Sequence, residues 1–316
     1  MNRLDRIKGA IFGYALGDAL GLGTEFMNRH EVNTYYPGGL RNFGQIICDS
    51  HRCQWEKGEW TNDTEIVVRL LESMMRDGAL DVRHFAASLR EWHDANDKEM
   101  IPVLRRIMES DSWVADPIVT AHRIWQSQRF VEASNEAVGR GIAVALLSRR
   151  EDLLENTRKA VLVTHDDSRC VVSTMVIAKT AFSLLHGEEP DFSELQKLCD
   201  DLDRRVTPYL LHARDCEDIA DLELDDEETM AYTRKTMAAA LWALWHAEPD
   251  PAETFFKVID AGGDADTNAA AAGALLGLKY GYDAIPDEKK KLLKFDYLND
   301  LAERVTDRSD KINLQK

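Results

Sequence analysis

Cysteine and proline are scarce in this chain, which has five cysteines and eight prolines among 316 residues. The cysteines form no C-x-x-C pair, and they are too few and too scattered for the disulfide framework of a small secreted protein. We therefore expect a protein of the reducing cytoplasm. Hydrophobic residues make up 44% of the chain and charged residues 30%, a mixture that excludes disordered and fibrous proteins.

Basic residues are also in deficit. Lysine and arginine number 39 against 56 aspartates and glutamates, so the formal net charge is −17. This charge repels nucleic-acid backbones and anionic membranes, and we expect neither as a partner. The many carboxylates could supply oxygen ligands for a divalent metal, although most carboxylates of an acidic protein face water.

No uninterrupted run of about 18 apolar residues suggests a membrane span. The N-terminus imitates a signal peptide, because Arg3, Arg6 and Lys8 precede an apolar stretch at 10–23. Asp18 interrupts that stretch, and its glycines leave no convincing cleavage site. We expect a soluble chain without a targeting segment.

Apolar residues recur at helical spacing along most of the chain. Ile66, Leu70 and Met74, for example, keep one face of a helix apolar until Gly78 ends it. No long alternation of apolar and polar residues competes with this pattern. It predicts a compact all-α domain over 1–316, with further helices over 81–95, 99–109, 117–130, 136–149, 169–186, 229–247 and 267–280.

Small residues mark the last of these predicted helices. The segment 267–280 is rich in alanine and leucine, and it carries Gly273 and Gly277 four residues apart. Glycines at this spacing leave a strip without side chains on one helix face. We therefore expect a neighbouring helix to approach closely there.

Two regions break the helical pattern. Residues 21–60 are rich in glycine, and so long a connection is suspected of being a functional loop. Residues 215–228 hold nine acidic side chains. They lack the glycine that an EF-hand loop requires, so a solvated surface segment is the better interpretation.

The strongest local signal is the sequence Gly-Gly-Asp-Ala-Asp-Thr-Asn at 262–268, directly before the alanine-rich helix. The simple interpretation is a helix cap formed by Asp266 or Thr267. The alternative is a metal site, because Asp264, Asp266 and Thr267 supply three oxygens that can converge on one hard cation. A short motif leaves both interpretations open.

A second oxygen-rich helix start occurs at Thr61, Asn62 and Asp63. Here the competing interpretation is a capping box between Asn62 and Glu65. Clustered carboxylates repel one another unless a cation neutralises them, and both segments lie at the start of an apolar helix. We therefore expect the two segments to face one another. Glu25 is a third element, which means little on its own.

Together these segments resemble the ADP-ribosylglycohydrolase family. The resemblance begins at Gly9 and at the Gly-Asp-Ala-Leu-Gly sequence of 17–21, and it continues to Gly281. It implies an orthogonally packed, all-helical domain with two Mg²⁺ or Mn²⁺ ions that hydrolyses the bond between ADP-ribose and an acceptor. The implied partner is an ADP-ribose-containing substrate such as an ADP-ribosylated protein, and we expect the chain to be a monomer.

The resemblance also implies roles for individual residues. The implied metal ligands are Thr61, Asn62 and Asp63 for a first ion, Glu25, Asp264 and Thr267 for a second, and Asp266 for both. The implied substrate contacts are Asn62, Asn135, Glu136, Gly139, Arg140 and His165. The catalytic candidates are Glu25, Asp63 and Asp266. Without the resemblance, His165 would be interpreted as a structural hydrogen-bonding residue, and Asp18 is expected to hold the opening helix and its loop.

Two positions depart from the family pattern. Asn62 replaces an aspartate, and its neutral amide oxygen should weaken the first metal site. Glu136 replaces a glycine in the loop whose backbone approaches a diphosphate, and a carboxylate there repels a pyrophosphate unless it points away. Two alternatives therefore stay open: a protein that binds its ligand without hydrolysis, and a hydrolase of another ribosylated nucleotide or nucleoside.

One further grouping contains possible zinc ligands. Cys48, His51 and Cys53 lie within six residues. Zinc would want a fourth ligand and wider spacing, so a zinc site is the less favoured interpretation.

Overall fold

The computed structural model describes residues 1–96, 98, 101–127 and 133–314. The described residues form fifteen α-helices and no strand beyond two isolated bridges, so the all-α prediction is confirmed. The helices are α1 (Arg3–Gly21), α2 (Arg29–Tyr35), α3 (Asn62–Asp77), α4 (Val82–Ala95), α5 (Pro102–Met108), α6 (Pro117–Ser127), α7 (Arg140–Leu147), α8 (Leu153–Leu162), α9 (Ser168–Leu185), α10 (Phe192–Leu202), α11 (Thr207–Asp215), α12 (Thr233–Trp245), α13 (Pro251–Asp260), α14 (Ala265–Tyr280) and α15 (Phe295–Leu314).

The predicted helices form, with shifted ends. α3 ends at Gly78 as expected, and the φ angle of 74° at this residue lies in the left-handed region that favours glycine. The helix predicted over 136–149 begins only at Arg140, because the residues before it form turns. Parts of two other predictions, at 99–100 and 128–130, lie outside the described residues.

The glycine-rich region of 21–60 is not structureless. It contains α2 and two short 3₁₀ helices, Phe43–Gln45 and Arg52–Gln54. α2 begins with a capping box in which the side chain of Asn28 accepts the backbone N–H of Glu31 and the side chain of Glu31 accepts that of Asn28. The region therefore has local structure of its own, which the glycine content concealed.

Helices α1 and α14 pack backbone against backbone. A Cβ atom added to Gly277 would lie 2.1 Å from the carbonyl carbon of Gly9, so no side chain fits between the helices there. The close approach expected at Gly273 and Gly277 is therefore confirmed. The contacting residues are spaced four apart: Gly9, Gly13, Gly17 and Gly21 of α1 meet Gly277, Gly273, Ala269 and Ala265 of α14. This reversed order makes the helices antiparallel and brings the end of α1 to the start of α14.

Helix α9 is long and apolar enough to cross a membrane by length and composition alone, with a mean hydropathy of 1.3. In the structure, however, 78% of the helix is buried inside the protein. Helices α7, α8 and α12 pack against it. Such surroundings are those of a core helix.

We expect Gly277→Ala to destabilise the protein, because its methyl group would overlap the backbone of Gly9. Overpacking typically costs about 1–3 kcal/mol, so the melting temperature measured by circular dichroism should fall by several degrees. Gly44→Ala is the matched control, since Gly44 is exposed and its nearest neighbour is the side chain of Asn42. Equal melting temperatures for the two variants would contradict the backbone packing.

Candidate active site

The packing of α1 on α14 places Glu25 beside the start of α14. Residues 26–27 and Gly263 form a bridge with two backbone hydrogen bonds of 2.7 and 2.8 Å. Glu25, Asp264 and Asp266 are buried, and each presents a carboxylate oxygen within 4.8 Å of the other two. Residues far apart in the sequence therefore meet at one point.

The start of α3 meets the same point. Thr267 Oγ1 donates to Asp63 Oδ2 at 2.6 Å, and Thr61 Oγ1 donates to Asp266 Oδ2 at 3.5 Å. The two oxygen-rich segments thus face one another, as expected. We call Glu25, Asp63, Asp264 and Asp266 the acidic cluster.

Asp18 holds the start of α3 in this position. Its Oδ1 accepts the backbone N–H of Thr61 at 2.9 Å, and its Oδ2 accepts that of Thr64 at 2.8 Å. The side chain is fully buried. Asp18 therefore links α1 to α3 and has the structural role that was expected.

The helix cap, one of the two interpretations left open for the 262–268 motif, does not form as described. Asp264 occupies the N-cap position of α14 but makes no side-chain capping hydrogen bond, and the next two oxygen-bearing residues lie inside the first turn. The hydroxyl of Thr267 donates to Asp63 instead. Asp266 Oδ1 accepts the backbone N–H of Thr267 at 2.8 Å, so the carboxylate oxygens left to the acidic cluster are Asp266 Oδ2 and the carboxylate of Asp264.

Helix α3 is capped by Thr61, whose Oγ1 accepts the N–H of Asp63 at 3.3 Å. The competing interpretation, a capping box between Asn62 and Glu65, does not form, because Thr61 is the N-cap and Asn62 lies inside the helix; Glu65 instead accepts a hydrogen bond from Arg69 Nε at 2.9 Å. Asn62 is the first residue of α3 and is half-buried. Together with Thr61 it lines a cleft of about 280 Å³.

Burial makes the acidic cluster unfavourable while all its carboxylates are charged. Burial, followed by the charges of Glu25, Asp264 and Asp63, raises the pKa of Asp266 well above its ordinary value. Burial and the charge of Asp18 raise the pKa of Asp63 in the same way. Burial also raises the pKa of Glu25 to about 7. A divalent cation would relieve this repulsion.

The donor set fits such a cation. The cluster and its two threonine hydroxyls supply oxygen atoms, the ligands that Mg²⁺ and Mn²⁺ prefer. Asp63 Oδ1 is buried and has no hydrogen-bond partner among the described residues. A buried carboxylate oxygen without a partner indicates a further ligand. The residues present are therefore suited to holding a metal ion.

Asn135 connects the turn before α7 to this cluster. Its Nδ2 donates to Thr236 Oγ1 at 2.8 Å, and that hydroxyl donates to Asn268 at 2.6 Å. Burial raises the pKa of Asp264, and a hydrogen bond from Asn135 is among the contacts that moderate the rise. Asn135 thus lies at the edge of the acidic cluster.

Glu136 turns toward His165. The Nε2 atom of His165 lies 3.1 Å from Glu136 Oε2 and 3.1 Å from Ser134 Oγ, while Thr164 Oγ1 lies 2.7 Å from its Nδ1. The histidine is fully buried, and burial lowers its pKa. Both nitrogens of the ring are therefore engaged by protein groups.

Glu136 carries its negative charge close to the acidic cluster. Burial opposes its ionisation, but the hydrogen bond and charge of His165 hold its pKa below the ordinary value. The charge of Glu136 in turn contributes to raising the pKa of Asp63 and of Asp264. A fifth carboxylate therefore acts on the cluster electrostatically.

Arg140 is a buried cation at the start of α7. Its Nη1 donates to the carbonyl of Ala160 at 2.7 Å, while Nε and Nη2 have no hydrogen-bond partner among the described residues. Burial lowers its pKa to about 10. A Cβ atom on the preceding Gly139 would lie 1.9 Å from the hydroxyl of Tyr14. The space beside the Cα atom of Gly139 is therefore occupied by the side chain of Tyr14.

Two contacts to Glu25 were not predicted from the sequence. His51 Nε2 lies 2.6 Å from Glu25 Oε2, and Arg52 Nη2 donates to the backbone carbonyl of Glu25 at 2.5 Å. Cys48 and Cys53 are joined in a disulfide, which agrees with the zinc site being the less favoured interpretation. The only sequence signal for these contacts was the unusual length of the glycine-rich region.

Comparison with known proteins agrees with this geometry. A profile of the ADP-ribosylglycohydrolase family matches residues 1–313. The chain belongs to the ADP-ribosylglycohydrolase family. A solved structure titled "ADP-ribosylglycohydrolase-related protein complex" has a TM-score of 0.77 and 27% identity, and the match covers 97% of this chain and 99% of that one.

Two relatives in the family have names that state an activity. The ADP-ribosylarginine hydrolase Tri1 of Pseudomonas putida is 25% identical over 323 residues, which cover 98% of this chain and 80% of that protein. The ADP-ribosyl-[dinitrogen reductase] glycohydrolase of Rhodospirillum rubrum is 26% identical over 285 residues, with 89% and 88% coverage. The similarity thus extends over nearly the whole chain.

The acidic cluster should make the metal-free protein less stable as the pH rises. Glu25 has a pKa of about 7 in the folded protein against 4.5 for the free side chain, so between these values the folded state binds a proton that the unfolded state has lost. Stability therefore falls with rising pH in this window. We expect the melting temperature in EDTA to drop between about pH 5 and pH 7.5, and added Mn²⁺ to restore it.

Two variants test the origin of this drop. Glu25→Gln removes a titrating group and should flatten the pH dependence in EDTA. Glu227→Gln, at an exposed position, should leave it as in the wild type. A melting temperature in EDTA that stays constant or rises over the interval would contradict the electrostatic account.

Proposed function

We propose that this protein is a metal-dependent hydrolase that cleaves the glycosidic bond between ADP-ribose and an acceptor. The observation that carries the proposal is the meeting of Glu25, Asp63, Asp264 and Asp266 in one buried cluster. The names of the two relatives support ADP-ribosylarginine or another ADP-ribosylated protein side chain as the substrate.

The proposed metal ligands come from three elements. Thr61, Asn62 and Asp63 would hold one Mg²⁺ or Mn²⁺ ion, Glu25, Asp264 and Thr267 a second, and Asp266 both. Bound ions would supply Lewis-acid contacts to the hydroxyl groups of a ribose. Asn62 would provide an amide oxygen, which is a weaker ligand than a carboxylate.

The protein's own groups would position the reactants. Hydrolysis of a glycosidic bond passes through an oxocarbenium-like transition state, which requires a held sugar and a water aimed at the anomeric carbon. Glu25 is the least deeply buried acid of the cluster, and it would position that water. Asp63 is the other candidate base, because its Oδ1 has no partner among the described residues.

Turnover should require the cluster and its metal. Purified protein with Mg²⁺ or Mn²⁺ should release ADP-ribose from an ADP-ribosylarginine peptide, measured by chromatography, and EDTA should abolish the release. Asp264→Ala combined with Asp266→Ala should reduce turnover to background, because both metal sites lose a carboxylate.

The control is a pair of exposed acids. Glu227→Ala combined with Glu228→Ala removes the same charge from the surface and should leave turnover unchanged. Undiminished release of ADP-ribose in EDTA would contradict the metal-dependent mechanism. Binding of ADP-ribose by calorimetry without any turnover would instead favour a binding protein.

Glu136 favours a second candidate function. Its ionised carboxylate is buried beside the acidic cluster and is bonded to His165. The negative charge of a diphosphate would be repelled by Glu136 if it bound there, because few mobile ions can screen two buried charges from each other. A ribosylated nucleoside without a diphosphate would avoid this repulsion.

The substrate preference of Glu136→Gly separates the two candidates. If the second candidate holds, the wild type should have a higher kcat/KM for an N-ribosyl substrate without diphosphate than for its ADP-ribosyl counterpart, and Glu136→Gly should reverse this preference. The glycine variant should act mainly by lowering KM for the ADP-ribosyl substrate. A wild type that already prefers the ADP-ribosyl substrate would exclude the second candidate.

A further inference from the structure

Glu25 differs from the other members of the acidic cluster in what holds it. The three aspartates lie at the starts of α3 and α14, whereas Glu25 lies in the connection after α1. Its carboxylate is hydrogen-bonded to His51, with His51 Nε2 and Glu25 Oε2 2.6 Å apart. His51 is in turn part of a segment that we call the 48–55 loop.

The ring of His51 contacts two aromatic residues. The Phe26 ring lies 5.3 Å from it between centroids, and the Trp55 ring lies 5.4 Å from it in an edge-on arrangement. The histidine side chain is only 19% exposed. A ring packed in this way has little freedom to rotate, so its Nε2 is presented to Glu25 in one direction.

Arg52 holds the backbone beneath Glu25. Its Nε donates to the carbonyl of Gly23 at 2.9 Å, and its Nη2 donates to the carbonyl of Glu25 at 2.5 Å. Asp49 accepts a hydrogen bond from Nη1 of Arg52 at 2.5 Å. It also accepts hydrogen bonds from the backbone N–H groups of His51 at 3.1 Å and Arg52 at 2.8 Å. The 48–55 loop is therefore held together by its own hydrogen bonds, and it makes hydrogen bonds to both the backbone and the side chain of Glu25.

The backbone next to Glu25 requires such support. Phe26 has a φ angle of 59°, in the left-handed region that bulky residues rarely adopt. Its N–H donates to the carbonyl of Gly263 at 2.7 Å. A strained residue of this kind persists when surrounding contacts determine its conformation, and here those contacts come from the start of α14 and from the 48–55 loop.

We propose that His51 is a positioning residue that orients the Glu25 carboxylate for metal binding, so that the 48–55 loop sets the affinity of the acidic cluster for divalent cations. The inference rests on the proposed function, because it assigns Glu25 to a metal. Carboxylates that bind metals are oriented by hydrogen bonds from neighbouring groups, and removal of such a group typically weakens binding by about 10–100-fold.

The test measures Mn²⁺ binding by calorimetry on the full chain, with no substrate present. His51→Ala removes the hydrogen bond and should raise the dissociation constant by about 10–100-fold. His51→Gln keeps an N–H donor on a side chain of similar reach and should recover most of the affinity. Circular dichroism checks that both variants have the helix content and melting temperature of the metal-free wild type.

His93→Ala is the matched control. His93 on α4 pairs with Glu109 at 3.7 Å and is 13% exposed, so it is a partly buried histidine with a carboxylate partner outside the cluster. It should bind Mn²⁺ as the wild type does. Wild-type affinity in His51→Ala, or equal losses in His51→Ala and His51→Gln, would overturn the inference and leave the proposed function standing. A wild type that binds no Mn²⁺ would overturn both.

Discussion

The contact between the backbones of α1 and α14 is the constraint on which the site depends. Glycine or alanine at every fourth position of both helices lets them run antiparallel without intervening side chains. The end of α1 then lies against the start of α14, and a bridge between residues 26–27 and Gly263 extends this pairing to Glu25. Asp18, on the same α1, holds the start of α3. One helix therefore fixes the relative positions of all three cluster-bearing segments.

This arrangement would make the stability of the fold depend on whether a cation is bound. Six buried acids lie within electrostatic reach of one another, namely Asp18, Glu25, Asp63, Glu136, Asp264 and Asp266. The buried arginines Arg52 and Arg140 offset only part of this charge. Repulsion in a buried cluster is relieved either by protons or by cations. Each divalent ion carries twice the positive charge of a proton, so fewer ions than protons would be needed to relieve the repulsion. The carboxylates that destabilise the metal-free fold would therefore also favour the binding of a cation.

The sequence allowed the helices, the α1–α14 contact and the meeting of the oxygen-rich segments to be predicted, because each depends on a local pattern of spacing or composition. The sequence could not separate a helix cap from a metal ligand, because both use the same residue types and only the side-chain direction distinguishes Asp264 from a cap. The His51 contact could not be predicted. It joins residues 26 positions apart through an irregular loop, and no spacing pattern in the sequence connects His51 to Glu25.

The pair formed by Glu136 and His165 bears on both candidate functions. The histidine that the family resemblance assigns to the substrate is bonded to a protein carboxylate, and its other nitrogen is bonded to Thr164. An anionic ligand that reached His165 would be repelled by Glu136 and would have to displace it. A neutral ligand could bind beside the hydrogen-bonded pair without breaking it. If Glu136 were displaced, its negative charge would move relative to the acidic cluster, and the pKa values of Asp63 and Asp264 would change with it. Under either candidate function, the charge at this single position would therefore couple the choice of substrate to the electrostatics of the acidic cluster.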